Sequence, residues 1–165
     1  MDNKFHDGQY IVGEVSHITA REMIPSVFDY IEYDFNKQSV WELFLLSISW
    51  KYMPLYWHAC YASVTYIFDM SDLEQLVSSR ILHYDYRKRE QIDITSDVAA
   101  YIGDESLLPE ITLLSDSVAQ LRYSYWGGWR GLVRVMIRIA KENGTTTFTH
   151  ISDETLVEYD CGWVV

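Results

Sequence analysis

The residue types that could act as nucleophiles, bases or metal ligands are few and widely spaced. The five histidines and two cysteines are His6, His17, His58, Cys60, His83, His150 and Cys161. No H-x-x-x-H or C-x-x-C spacing of a metal site occurs among them. Cys60 and His58 would share one face of a strand, but a catalytic pair meets through the tertiary fold and not by adjacency. The pattern therefore predicts no catalytic residue, no metal ion and no cofactor.

The glycines do not form a nucleotide-binding motif either. The sequence contains neither G-x-G-x-x-G nor G-x-x-x-x-G-K-[ST]. Gly127 and Gly128 instead separate Trp126 from Trp129, directly after Tyr125. Glycine allows a tight turn, whereas Tyr and Trp are enriched at protein interfaces. We therefore interpret Tyr125, Trp126 and Trp129 either as rings that pack around a turn or as an aromatic edge that contacts a partner.

A block of unbalanced acidic residues lies in the second half of the chain. Between residues 90 and 116 there are seven carboxylates and no lysine or arginine. These are Glu90, Asp93, Asp97, Asp104, Glu105, Glu110 and Asp116. A cationic protein would be attracted by such a block before contact, so we predict that it binds a basic partner. The alternative is that the carboxylates only cap helices and keep a small domain soluble.

The overall composition favours the same function. The 165 residues carry a net charge of −11, with thirteen tyrosines and six tryptophans. Such a charge argues against direct binding to nucleic acid or to anionic membranes. We therefore predict an acidic inhibitor or immunity-type protein that neutralises a basic partner, such as a nuclease toxin or a DNA-binding protein. A homo-oligomer held by an aromatic surface remains an open alternative.

One arrangement would instead favour a small enzyme or a ligand-binding domain. If a cleft lined by Trp and Tyr opens between the helices and the sheet, His150 with Tyr159 or Glu32 could perform acid–base work. A deep pocket that contains a histidine and a carboxylate would support this alternative. A filled core with a flat acidic surface would support protein binding.

The elements that must position these residues are clearest near the C-terminal end. Residues 132–140 alternate between apolar and polar side chains, which is typical of a half-buried strand. Asn143-Gly144 suits a type I′ turn, because both of its positions require a positive φ. A hairpin with this turn sets Ile137 opposite His150. A slip of one residue would move the threonines that follow the turn onto the apolar face.

We predict that this hairpin continues into a third strand. Ser152-Asp153 is a plausible second turn, and residues 154–161 alternate again. A tight turn there would place Glu158 and Asp160 on the same face as Arg138, with cross-strand ion pairs. The three strands would form an antiparallel C-terminal meander.

The rest of the chain contains predicted helices, two strands and one hairpin. Helices are predicted at residues 25–36, 40–53, 71–79, 97–102 and 109–123, strands at 9–18 and 57–68, and a hairpin at 81–87 and 91–95. The apolar stretch 43–68 contains Lys51 and Pro54 and lacks a flanking basic cluster. We therefore interpret it as a buried helix and strand and not as a membrane span. Together the elements predict one α+β domain over residues 1–165, with N-terminal helices packed on a mainly antiparallel sheet.

The cysteine count and the N-terminal residues predict the compartment. Two cysteines are too few for a disulfide framework, which favours a reducing environment. The first eight residues carry charges and no apolar core, unlike a signal peptide. We expect a cytoplasmic protein.

Overall fold

A sheet of five antiparallel strands is the largest element of the structure. The computed structural model of the protein describes residue 28 and residues 31–52, 64–127 and 130–160, without the side chains of residues 50–52. The described helices are α1 (Lys37–Tyr52), α2 (Met70–Val77), α3 (Thr95–Ala99) and a 3-10 turn (Glu105–Leu107). The described strands are β1 (Val64–Ile67), β2 (Leu82–Asp85), β3 (Glu90–Asp93), β4 (Glu110–Ser115), β5 (Val118–Gly127), β6 (Gly131–Glu142) and β7 (Thr145–Val157).

The strand order places β5 and β6 in the middle of the sheet. Four strands follow the order β1-β5-β6-β7, and β4 also pairs with β5. Because β6 takes one edge of β5 along its whole length, β1 and β4 occupy successive parts of the other edge. The strands β2 and β3 form a separate hairpin. The α+β fold class is confirmed, and β5, β6 and β7 form an antiparallel C-terminal meander.

The hairpin of β6 and β7 has the register that its turn predicted. Asn143 and Gly144 have φ values of 51° and 84°, as a type I′ turn requires. The pairing then sets Ile137 opposite His150 and Ile139 opposite Phe148. The local turn signal and the alternating side chains were therefore sufficient to fix this register.

The predicted second turn at Ser152-Asp153 is wrong. Ser152 and Asp153 pair with Met136 and Val135 inside β7, which continues to Val157. The local irregularity is a bulge instead, since the register shifts between Met136 and Ile137. A bulge absorbs one extra residue without reversing the chain, so β6 continues to offer backbone partners beyond it. The third strand of the meander is therefore β5 and not residues 154–161.

The predicted helix at residues 109–123 is also wrong, because this segment forms β4 and the first part of β5. Its apolar residues fit a helical spacing, but residues 118–126 also alternate with a period of two. Ala119 and Leu121 are buried, whereas Gln120 and Arg122 are only partly buried. The ten backbone pairs between β5 and β6 decide in favour of the strand. Tertiary pairing overrides a weak local preference in this way.

One face of the sheet is covered by α1. Val40 and Phe44 of this helix pack with Ala119, Leu121 and Ile139 of the sheet. These five side chains are at most 1% exposed, so they exclude water from this half of the core. The predicted packing of N-terminal helical structure on the sheet is found here.

The opposite face carries a second core toward the other end of the strands. Trp126, Leu132 and Val157 of the sheet pack with Leu73 of α2 and Val98 of α3. Residues of the β2–β3 hairpin and of the 3-10 turn flank the same cluster. This core holds the small elements between residues 70 and 107 against the last residues of β7.

The start of α1 differs from the prediction by three residues. Asn36 caps the helix, since its side-chain oxygen accepts the backbone N–H of Ser39 at 3.0 Å. The apolar stretch 43–68, predicted as a helix and a strand, contains most of α1 and all of β1. Its residues 53–63 lie outside the described residues. In the described part of the chain, no helix combines the length and the apolar character that a membrane crossing requires.

Three of the smaller predicted elements agree with the structure, whereas the predicted helix at residues 25–36 is wrong over residues 31–36. The predicted hairpin is β2 and β3, the helix predicted at 71–79 is α2, and α3 overlaps the helix predicted at 97–102. Of the predicted helix 25–36, residue 28 is helical and residues 31–36 are not. The predicted strand 9–18 and the first part of the strand 57–68 lie outside the described residues.

Candidate functional site

The seven acidic residues of the sequence block do not share one surface. Six of them are exposed, and Asp104 is partly buried. Asp116 follows β4, whereas Glu110 begins this strand. Six residues of extended chain put these two carboxylates about 20 Å apart. Asp97 lies on α3, near the opposite end of the sheet from Asp116. The block is thus spread along the molecule.

Several of these carboxylates are bound by cations from outside the block. Asp93 contacts Arg80 at 2.7 Å, Glu110 contacts Arg122 at 2.8 Å, and Glu90 lies 3.9 Å from Lys88. Hydrogen bonds from the Thr95 hydroxyl and backbone N–H, together with Arg80, lower the pKa of Asp93 to about 2. Surface pairs of this kind contribute little stability, but they reduce the negative field that a partner would feel.

Asp104 is held in a different way. Its side chain accepts the backbone N–H of Ser106 at 2.9 Å and so caps the 3-10 turn. The hydrogen bonds from Ser106, with the charges of Arg134 and Arg122 nearby, keep the pKa of Asp104 below its usual range. This carboxylate therefore has the capping role that the sequence left as an alternative.

Tyr125 and Trp126 point to opposite sides of β5. Trp126 is 8% exposed and packs on Tyr159, with ring centroids 4.8 Å apart. Tyr125 is partly buried, and its ring centroid lies 6.2 Å from that of Tyr66. Trp129 lies outside the described residues. Within the described chain, Trp126 is a core residue.

The three residues of the acid–base alternative do not meet. His150 is exposed and lies 3.7 Å from Asp153 on the same strand. Tyr159 follows the end of β7 and packs on Trp126. Val157 lies seven positions after His150 along β7, which corresponds to about 20 Å. Glu32 is exposed and next to Tyr33, which bonds Thr146 near the start of β7.

A candidate site is formed where the chain leaves β7 and runs beside β2. The backbone N–H of Asp160 donates to Nδ1 of His83 at 3.0 Å. The backbone N–H of Tyr84 donates to the carbonyl of Asp160, also at 3.0 Å. These two bonds hold residues 158–160 against β2 and close one side of a groove.

This groove, which we call the tyrosine groove, has a volume of about 620 Å³. Its walls include three tyrosines, namely Tyr84, Tyr86 and Tyr159. They also include three carboxylates, namely Asp85, Glu158 and Asp160. The described lining is completed by Arg87, Arg130, His83 and Thr155, so no aliphatic side chain of the described residues takes part. The groove is therefore polar and aromatic.

A second groove lies on the other side of His83 and Glu158. Its volume is about 500 Å³, and His83 and Glu158 line both grooves. Asp97 and Tyr101 contribute from α3 and its C-terminal end, and Leu156 contributes from β7. Among the seven predicted acidic residues, Asp97 lines the second groove, and the other six line neither groove. We call this second cavity the Asp97 groove.

The charges in the tyrosine groove are partly satisfied by the groove itself. Arg130 is bonded to Asp153, which raises the pKa of Arg130 and lowers that of Asp153. Backbone N–H groups of Lys88 and Arg87 keep the pKa of Asp85 below its usual range. Glu158 is exposed, and no described residue forms an ion pair with it.

The sequence did not identify most of these residues as a site. Tyr84, Tyr86 and His83 were placed in a hairpin, and Glu158 and Asp160 were placed on a third meander strand. They meet because residues 77 positions apart are bonded to each other. Only Tyr159 and Asp97 were among the predicted site residues.

The comparisons with known proteins gave no relative for this arrangement. No protein-family model, no curated protein and no solved structure matches the chain.

Proposed function

We propose that this chain is a protein-binding module that neutralises a basic protein partner, as an inhibitor or immunity-type protein does. The observation that carries the proposal is the pair of adjoining grooves that meet at His83 and Glu158. Their walls combine tyrosine rings with carboxylates. This combination suits the basic side chains of a nuclease toxin or a DNA-binding protein better than nucleic acid itself.

The character of the walls supports a protein partner over a typical small ligand. Small-molecule sites are lined mostly by hydrophobic side chains, with few polar groups. The tyrosine groove has the opposite character, with charged, hydroxyl and imidazole groups around its tyrosines. Tyrosines contribute strongly to protein interfaces, because a rigid ring supplies contact area together with a hydroxyl.

The net charge of −11 supports a basic partner. Charges that do not touch the partner still raise the association rate by electrostatic steering. Asp97 and Glu158 are exposed groove residues that would combine steering with contact. Two cysteines, Cys60 and Cys161, fit a reducing compartment, so we propose that the binding occurs in the cytoplasm.

A polar small ligand is the second candidate function. The tyrosine groove has a volume of about 620 Å³, which a small molecule could occupy. Such a ligand would be cationic, because Glu158 and Asp160 line the groove. It would bind without the protein-sized interface that the first proposal requires.

The test is a capture experiment with matched variants. The tagged protein is incubated at low salt with lysate of the native host, and bound proteins are eluted by a salt step and identified. The variant with Asp97→Asn and Glu158→Gln removes the two exposed groove carboxylates. Glu74→Gln on the exposed side of α2 is the control for loss of one charge elsewhere.

The proposal expects one stoichiometric basic protein on the wild type and on the Glu74→Gln variant. The same protein should bind the groove variant at least about tenfold more weakly, which is the loss of roughly one charged hydrogen bond. Equal capture by all three proteins would remove the grooves from the interface. A partner that is acidic, or an affinity that does not change with salt, would contradict the proposed function itself.

A further inference from the structure

We propose that the tyrosine groove receives one arginine side chain of the basic partner. This inference rests on the proposed function and names the chemical group that the groove selects. It is carried by the arrangement of Tyr84, Tyr86, Glu158 and Asp160.

The rings of the groove are arranged for a planar cation. Tyr84 and Tyr86 contact each other edge to face, with ring centroids 4.8 Å apart and an interplanar angle of 78°. Tyr86 is 46% exposed, which leaves part of it open to a partner. A guanidinium group stacks on an aromatic face and is attracted by the negative charge of the ring system.

The third ring of the groove is fixed from behind. Tyr159 packs on the buried Trp126, with centroids 4.8 Å apart. Because Trp126 belongs to the core, this contact limits the movement of Tyr159 before any partner binds. A rigid aromatic contact loses little conformational entropy on binding.

The carboxylates are placed to meet the charged end of an arginine. Asp160 is held through both its backbone N–H and its carbonyl, so its position relative to β2 is set. Glu158 is exposed on the same short segment. A guanidinium donates several N–H bonds in a plane and can bond to carboxylate oxygens while one face rests on a ring.

Two arginines, Arg87 and Arg130, line the groove, and neither forms an ion pair with Glu158. Arg130 lines the groove, but its guanidinium is bonded to Asp153 on β7. Its positive charge is therefore balanced at the wall and does not neutralise Glu158. A lysine from the partner would bring the charge without the planar stacking, and its ammonium group is more strongly hydrated. Arginine is thus the side chain that uses both the rings and the carboxylates.

The experiment uses three short peptides as probes. They are identical except for one central residue, which is arginine, lysine or citrulline. Citrulline keeps the length and the planar end group of arginine but has no charge. Binding to the full chain is followed by chemical-shift changes of its backbone amides in NMR spectra.

We expect the arginine peptide to shift the amides of residues 83–86 and 158–160. The citrulline peptide should bind at least about tenfold more weakly, and the lysine peptide several-fold more weakly. Tyr86→Leu and Glu158→Gln should each weaken arginine binding, whereas Glu74→Gln should not. Thermal unfolding of every variant confirms that it remains folded.

The possible contradicting results separate the two proposals. Equal binding of arginine and citrulline, or of arginine and lysine, would overturn the arginine inference and leave the basic-partner proposal standing. Arginine-induced shifts at the acidic block outside the groove would do the same, since they would move the site. Absence of shifts with any peptide would overturn the inference, while capture of a partner in the lysate experiment would still support the proposed function.

Discussion

Asp160 donates its backbone N–H to Nδ1 of His83, 3.0 Å away, and so joins the end of β7 to the β2–β3 hairpin. As the acceptor of this bond, Nδ1 carries no proton. His83 lines both grooves. Its bond to Asp160 therefore helps to hold the β2 wall and the 158–160 wall of the grooves together. The shape of the site depends on a hydrogen bond between two residues that are distant in sequence.

Replacement of His83 should therefore affect the site and the stability together. His83→Ala removes the acceptor of the Asp160 N–H, and we expect the free energy of unfolding to fall by about 1 kcal/mol. Partner or peptide affinity should fall as well, because residues 158–160 lose one of their two bonds to β2. Urea unfolding and peptide titration measure the two effects. His83→Asn, which retains a side-chain acceptor, should lose less of both, and an equal loss would show that the hydrogen bond is not the cause.

The lowered pKa of Asp93 predicts an acid-dependent loss of stability. The pKa of Asp93 is lowered from 3.8 to about 2 by Thr95 and Arg80. A carboxyl group with a depressed pKa in the folded protein contributes stability above its unfolded pKa, and the contribution disappears as the pH falls through the folded pKa. The contribution should be complete above about pH 4 and lost between pH 4 and 2. Asp93→Asn should make unfolding less dependent on pH in this range, and an unchanged pH dependence would contradict this role of Asp93.

Ser124 predicts a stabilising substitution. Its side chain is 0% exposed, and its hydroxyl has no hydrogen-bond partner among the described residues. A buried hydroxyl without a partner is destabilising, so Ser124→Ala should raise the free energy of unfolding by about 1 kcal/mol. Chemical denaturation measures the change. A decrease would mean that the hydroxyl is satisfied in solution, for example by a bound water molecule.

Two glycines with similar backbone conformations should tolerate alanine very differently. Gly131 has a φ of 81°, and a Cβ there would lie 2.0 Å from the carbonyl oxygen of Val157. Gly144 has a φ of 84°, but a Cβ there would meet no atom within 4 Å. Both substitutions introduce strain of about 1 kcal/mol from the positive φ. Gly131→Ala should cost several kcal/mol more from the clash. Thermal unfolding of the two variants compares them, and equal losses would contradict the close contact between β6 and the end of β7.

The sequence predicted well where the signal is local. Asn143-Gly144 fixed the turn between β6 and β7, and the alternation of residues 132–140 fixed which side chains share a face. These patterns depend on backbone sterics within a few residues. Prediction failed for β4 and β5, where apolar residues fitted a helix and a strand alike. The ten pairs with β6, which no local pattern contains, decided the outcome.

The sequence by itself determined the acidic character of the protein, the α+β class and the register of the last hairpin. Only the tertiary structure decided how the charges are used. Three carboxylates of the acidic block form ion pairs with cations from outside it, namely Arg80, Lys88 and Arg122. The tertiary structure also brought His83 to Asp160, across 77 positions of the chain. The physical reason is that burial of the core brings distant segments together, and the ion pairs and grooves form between those segments. Because the segments are far apart in sequence, no local pattern of residues predicts these contacts.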